Sequence, residues 1–134
     1  MMQIPLPEID DLNREYWEGC KRRELLAQRC ADCGRLRFPP QPMCPFCTSM
    51  HTEWTKLSGK GQVFSWTVCH PPVLPAFEDK SPYNVILVEL DEGIRIVSNL
   101  VDCENDQIEI GMPVEVLFED ITDDVTLPRF RRAK

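Results

Sequence analysis

The thiols are the most chemically loaded residues of this 134-residue chain, and they are unevenly placed. Four of the seven cysteines form two C-x-x-C pairs, Cys30-Ala-Asp-Cys33 and Cys44-Pro-Phe-Cys47, with ten residues between them. Such a pair can fold into a tight knuckle whose two thiolates converge on one metal while main-chain amides point at the sulfurs. Gly34, directly after Cys33, suits the left-handed turn that closes one knuckle. Pro45 pre-sets the backbone of the other. Two knuckles on a hairpin supply four sulfurs in a tetrahedron, the arrangement zinc takes in structural sites. Four thiolates also hold a rubredoxin-type iron, so that ion stays open. Zinc is the expected one, because nothing else in the sequence points to electron transfer. A dithiol redox motif needs no second copy so close. Four protein ligands leave no position for water or substrate, so Cys30, Cys33, Cys44 and Cys47 are expected to hold shape. His51 reads as a surface histidine, not a fifth ligand.

No catalytic residue is assigned. Cys20, Cys69 and Cys103 are scattered and read as small buried apolar residues. Cys69 and His70 are neighbours, but on an extended strand their side chains point to opposite faces. The sequence has no Ser-His-Asp order, no second metal cluster and no glycine-rich phosphate loop. Neither His51 nor His70 has a carboxylate partner evident from the sequence.

The net charge of −7 is also unevenly placed. Residues 1–57 carry eight Lys/Arg and eight Asp/Glu, whereas residues 58–134 carry seven against fourteen. Nucleic-acid affinity rests on cations that neutralise phosphates, so the acidic second half argues against an indiscriminate nucleic-acid binder. Two basic clusters stand apart: Arg22, Arg23, Arg35 and Arg37 around the first cysteines, and Arg129, Arg131 and Arg132 in "RFRRAK". Each reads as a solvated basic face or as a site for phosphates. No apolar run approaches the ~20 residues that span a bilayer. The N-terminus lacks a basic segment followed by an apolar one, and the expected location is the cytoplasm.

The elements that must position these residues divide the chain into three parts. Residues 1–24 form an N-terminal helical segment, with a helix expected over 11–22 from the spacing of Leu12, Tyr16 and Trp17 and the capping residues before them. Tyr16 and Trp17 either pack on their own domain or dock on another protein, as aromatic anchors do. Residues 25–57 form the ribbon, too small for a core of its own and therefore dependent on metal. Residues 58–134 change to a period of two. "QVFSWTV" places Phe64, Trp66 and Val68 on one expected face, and "YNVILVEL" is a continuous apolar strand. "IRIVSNLV" alternates Ile94, Ile96 and Ser98, and "PVEVLFED" aligns Val114, Val116 and Phe118. "VTLPRFRR" is a short fifth strand whose proline suggests an edge. Five short strands predict an OB-like barrel. Between the first two lies "HPPVLPAFEDKSPYN", read as an exposed, proline-stiffened loop carrying Phe77. The fold class is therefore mainly β: an N-terminal helix, a four-cysteine zinc ribbon, then a five-stranded OB barrel.

These blocks resemble a known family in their order. "YWEGCKRRELLAQRCADCGRLRFPPQPMCPFC", "EWTKLSGKGQVFSWTVCHPP", "PYNVILVELDEGIRIVSNLV", "IGMPVEVLFED" and "TLPRF" are similar to prokaryotic proteins that join an N-terminal helix, a rubredoxin-like zinc ribbon and an OB fold. The family was long known only as a domain of unknown function. The resemblance runs from about residue 11 to about residue 131. It implies a companion of thiolase-superfamily enzymes acting on acyl-CoA thioesters, thiolases and retro-aldolases of steroid side-chain degradation among them. It also puts Cys30, Cys33, Cys44 and Cys47 on the family's four metal positions. Two departures are visible: Thr48 stands where many members have glycine, and the C-terminal run is unusually basic.

The implied function is that of a non-catalytic subunit in a hetero-oligomer, not an enzyme on its own. Excluding water and positioning a bulky acyl group accelerate a partner's chemistry without any group here reacting. Phe64, Trp66 and Phe77 are the candidate apolar contacts for partner or acyl-CoA, with Tyr16 and Trp17 beside them. The alternative for Phe64 and Trp66 is barrel core. Two further functions are weighed: a stand-alone acyl-CoA binding module, and a nucleic-acid-binding OB protein.

Overall fold

The computed structural model describes residues 4–133. Met1 to Gln3 of the N-terminal segment, and Lys134 of the basic C-terminal run, lie outside the described residues.

Helix α1 (Arg14–Lys21) is shorter than the 11–22 expected. Asp10 is the cause: its carboxylate accepts the amides of Leu12 at 3.0 Å and Asn13 at 2.9 Å, and holds those residues in a turn before the helix. Tyr16, Gly19 and Cys20 form the buried face. A Cβ on Gly19 would lie 2.7 Å from Leu26 Cδ1, so the small residue lets the ribbon approach. The helix ends at Lys21, and Arg23, two residues on, turns the chain with φ 65°.

Three strands build the ribbon: β1 (Leu26–Cys30), β2 (Leu36–Arg37) and β3 (Thr52–Lys56), antiparallel in the order β2-β1-β3. The second sheet holds β4 (Lys60–Cys69), β5 (Tyr83–Leu90), β6 (Arg95–Ser98), β7 (Pro113–Asp120) and β8 (Thr126–Arg132), in the order β6-β5-β4-β7-β8. This sheet curls into a half-barrel of the OB type. Its edge strands meet where Leu100 pairs in parallel with Phe130, with Phe130 N–H donating to Asn99 O at 3.0 Å and Val101 N–H to Phe130 O at 2.8 Å. Val63, Ile86, Val88, Val114 and Phe130 fill the interior. One continuous core joins them to Tyr16 and Cys20 of the helix and to Leu25, Ala27 and Leu57 beside the ribbon. The ribbon thus buries its inner side against the barrel. Among the described residues no helix is long and apolar enough to cross a membrane.

Several strand expectations are corrected. The alternation expected across Phe64, Trp66 and Val68 is broken by a bulge between Val63 and Ser65. A bulge adds one residue and re-aims the side chains beyond it. Phe64 therefore turns outward under the Arg95 guanidinium, 3.7 Å from its ring centroid, while Trp66 lies on the Ile86 side of the sheet. Neither is barrel core; both are exposed. The run of β5 alternates after all, with Asn84, Ile86, Val88 and Leu90 buried and the intervening residues half-buried. Strand β8 is seven residues, not a short one, though it does lie at the edge. The proline-rich connection contains a 3-10 turn, Pro75–Lys80, and Phe77 packs on Tyr83 with ring centroids 5.3 Å apart.

Candidate metal centre and interaction surfaces

The two knuckles repeat one hydrogen-bond pattern. In the first, Cys30 N–H donates to Arg35 O at 2.9 Å and Gly34 N–H to Cys30 O at 2.9 Å. In the second, Cys44 N–H donates to Ser49 O at 2.9 Å and Thr48 N–H to Cys44 O at 3.0 Å. Within each loop an amide is aimed at sulfur: Cys33 N–H at Cys30 Sγ, 3.4 Å, and Phe46 N–H at Cys44 Sγ, 3.4 Å. These amides favour thiolate. The Cys30 thiol is pulled down to about 6, chiefly by the Cys33 amide.

The four sulfurs lie within 4.8 Å of one another. Cys30 Sγ is 3.5 Å from Cys47 Sγ, and Cys33 Sγ is 3.7 Å from Cys44 Sγ. A tetrahedral ion with ~2.3 Å bonds to sulfur requires edges of roughly 3.8 Å. The residues fit a four-thiolate metal. Cys30 and Cys44 are buried and Cys33 and Cys47 exposed, so the centre sits at the rim of the ribbon. His51 is exposed and bonds elsewhere, its Nδ1 3.1 Å from Asp32 Oδ2. The Asp32 carboxylate also accepts the Ser49 hydroxyl, which ties the outside of the first knuckle to the exit of the second. Asp32 is a partner the sequence did not reveal, because nineteen positions separate it from His51.

Most of the basic residues already have polar partners. Arg37 is buried, its guanidinium donating to Gln41 O at 3.1 Å and to Thr52 Oγ1. Arg22 bonds Glu24, Arg23 grips Asp120 with two 2.8 Å bonds, Arg129 meets Glu119 and Asn99, and Arg131 meets Glu115. Arg35 lies over the Phe46 ring, 4.7 Å from its centroid. Arg132 is exposed at the end of β8.

The aromatic candidates divide. Tyr16 is buried, edge-on to Trp17 at 4.8 Å and tilted against Phe38 at 5.4 Å. Trp17 keeps its indole N–H buried with no hydrogen-bond partner among the described residues. Both line a largely apolar groove of about 780 Å³ between the helix, Phe38-Pro39-Pro40, the Phe77–Tyr83 stack and β6. Phe64 and Trp66 lie outside it.

Comparison with known proteins parallels this division of the chain. The family model for the rubredoxin-like zinc ribbon domain of ChsH2 matches residues 17–49, and that for the C-terminal OB-fold domain of ChsH2 matches residues 54–119. The chain is 41% identical over 111 residues to a DUF35 domain-containing scaffold protein of Methanocaldococcus jannaschii, covering 81% of this chain and 77% of that protein. It is 48% identical over 129 residues to a probable enoyl-CoA hydratase alpha subunit of Thermomonospora curvata, covering 96% of this chain but only 40% of that subunit's length. Among solved structures, a chain of the Ltp2-ChsH2(DUF35) aldolase superposes with a TM-score of 0.88 at 47% identity, covering 96% of this chain and 100% of that one.

Proposed function

Because the chain belongs to the DUF35 family of zinc-ribbon and OB-fold proteins, we propose that it is a non-catalytic subunit of a thiolase-superfamily enzyme, a thiolase or retro-aldolase acting on acyl-CoA thioesters. One observation carries this reading: the chain matches, at 47% identity, the full length of the DUF35 chain in a named aldolase. The arrangement of the molecule supports it. A centre with four thiolate ligands is saturated and serves to hold the ribbon, and the ion we assign to it is zinc. The active nucleophile and bases would come from the partner. This chain supplies a stiff wall: helix, ribbon and half-barrel share one core, and the apolar groove and exposed aromatics stand on its surface.

Co-expression with a thiolase-type protein from the same organism tests the reading. The two should purify in a fixed ratio, with acyl-CoA turnover by the pair and none by this chain alone. Turnover by the partner at full rate without this chain would remove the subunit role.

A second reading has its own observation, the 780 Å³ groove with Arg95 and Arg129 among its lining residues. Calorimetric titration of the isolated chain with a CoA ester decides it. Binding by the chain alone would make it an acyl-CoA carrier, and heat seen only with the partner present would return the groove to the complex.

A further inference from the structure

Strand β4 is ten residues long, but its two neighbours do not flank it equally. On one side β5 follows it from Gly61 to Cys69. On the other, β7 pairs only with Lys60, Gly61 and Gln62, and the last bonds are Val63 N–H to Met112 O and Gly111 N–H to Val63 O. The bulge at Val63/Ser65 then turns the strand away from β7. From Phe64 onward, no strand among the described residues pairs with that side of β4.

The register shows which groups are left over. In an antiparallel pair, successive residues bond alternately to one neighbour and the other. Asp91 N–H bonds Lys60 O, whereas Leu90 N–H bonds Ile94 O on the far side. Counting along β5 from there, Leu87, Val85 and Tyr83 face β4, so Ser65, Thr67 and Cys69 opposite them bond inward. Trp66 and Val68, opposite Ile86 and Asn84, direct their N–H and C=O outward, to the free edge.

Natural sheets blunt such edges with lysine, proline, inward charges or a bulge that twists the edge away. Beyond the bulge at its start, Gln62 to Cys69 has no charge and no proline, in a chain that is 28% charged. The segment is instead β-branched and aromatic, with Phe64 42% and Trp66 37% exposed. The unpaired groups of such an uncharged edge are a template for another strand.

We propose that the free edge of β4, through the main chain of Trp66 and Val68, accepts an extended segment of the catalytic partner as an added strand, with Trp66 as a side-chain anchor. The added strand takes its affinity from main-chain hydrogen bonds and its specificity from alternate side chains. A second copy of this chain is the poorer occupant, because it would bring another −7 of charge against the acidic half of the first. The proposal rests on the subunit reading above.

Hydrogen exchange on the intact chain, alone and in its purified complex, tests it. The amides of Trp66 and Val68 are expected to exchange rapidly in the free chain and to slow at least tenfold in the complex. A stoichiometric complex in which both amides stay fast overturns the added strand and leaves the subunit reading standing. Absence of any complex overturns both. Protection in the free chain at a doubled hydrodynamic mass assigns the edge to a second copy and overturns the proposed partner. Val68→Pro supplies an independent arm. It removes an outward N–H without touching a bond to β5, and should weaken association at least tenfold while the melting temperature of the free chain is kept. Undiminished association of a folded Val68→Pro chain also overturns the proposal.

Discussion

Thr48 occupies in the second knuckle the position that Gly34 occupies in the first. Both follow the last cysteine of a C-x-x-C, both have positive φ (65° and 79°), and both donate to the carbonyl of the leading cysteine. Glycine takes that conformation freely. A β-branched residue there stores about 1–2 kcal/mol of strain. Thr48→Gly should therefore stabilise the metal-loaded protein by about 0.5–1 kcal/mol once the extra freedom of glycine in the unfolded chain is subtracted. A thermal melt with metal bound should rise by a few degrees. Gly34→Ala should move the other way, and for backbone reasons alone, because its Cβ would meet nothing within 4 Å.

Replacing a sulfur tests the centre itself. Cys30→Ser and Cys44→Ser remove buried ligands from opposite knuckles. A structural metal's binding energy is folding energy for a segment without its own core. Both variants should purify with little bound metal, and their ribbon amides should lose exchange protection. Elemental analysis gives the first result and hydrogen exchange the second. Metal retained at the wild-type level in both variants would mean that the thiolates are not the ligands.

The four-cysteine cluster was legible in the sequence because its thiols sit in two short spans whose spacing encodes knuckle geometry. The order of helix, ribbon and half-barrel was legible for a similar reason, since each has its own period. The features that stayed hidden depended on contacts across long separations. The bulge that separates Phe64 from Trp66 leaves no mark in "QVFSWTV", where a period of two holds throughout. The ion pairs that occupy the arginines join Arg23 to Asp120 and Arg131 to Glu115, positions 97 and 16 apart. Charge counts alone made those arginines look free. Asp10 shortened the helix by competing locally for amides, which a hydrophobic period cannot report.

The Arg23–Asp120 pair fastens the end of α1 to the end of β7, and it carries a pH signature. The two Arg23 bonds, with a third from Thr126 Oγ1 at 2.7 Å, hold the Asp120 carboxyl well below the usual carboxylate range. A group whose folded pKa is depressed contributes stability above its unfolded value, near 4, and loses it as pH falls toward the folded value. Asp120→Asn should therefore melt below the wild type at pH 7. The gap should narrow below about pH 4, where the unfolded wild-type carboxyl takes up its proton. Melting temperatures of the two proteins from pH 7 to 3 check this, and loss of the metal at low pH affects both alike.

Thiol reactivity should sort the seven cysteines into three groups. Cys20 is fully buried, and burial raises its thiol to about 12, so it stays protonated and shielded in the native protein. The four metal ligands are masked while the ion is bound. Only Cys69 and Cys103, both partly exposed, remain for a native-state thiol reagent. A chelator strong enough to strip the ion should raise the reactive count by four, and denaturant should add Cys20. Fast labelling of Cys20 in the metal-loaded protein would mean that the helix does not pack as described.

Asn84 closes the half-barrel. Its amide donates to Leu100 O at 2.9 Å and its Oδ1 accepts Leu100 N–H at 2.7 Å, which holds that chain where it meets Phe130. Asn84 is itself buried, and Asn99 donates back to its carbonyl. Asn84→Leu keeps the volume but strands a buried N–H and C=O, each costing about 1–3 kcal/mol when unpaired. The expected loss is about 2–4 kcal/mol in urea unfolding. Exchange should accelerate at the Phe130 and Val101 amides, which close the seam, before it does at β4 and β5. If the whole barrel loosened uniformly, Asn84 would be an ordinary core residue and the seam would be held by packing around Phe130 alone.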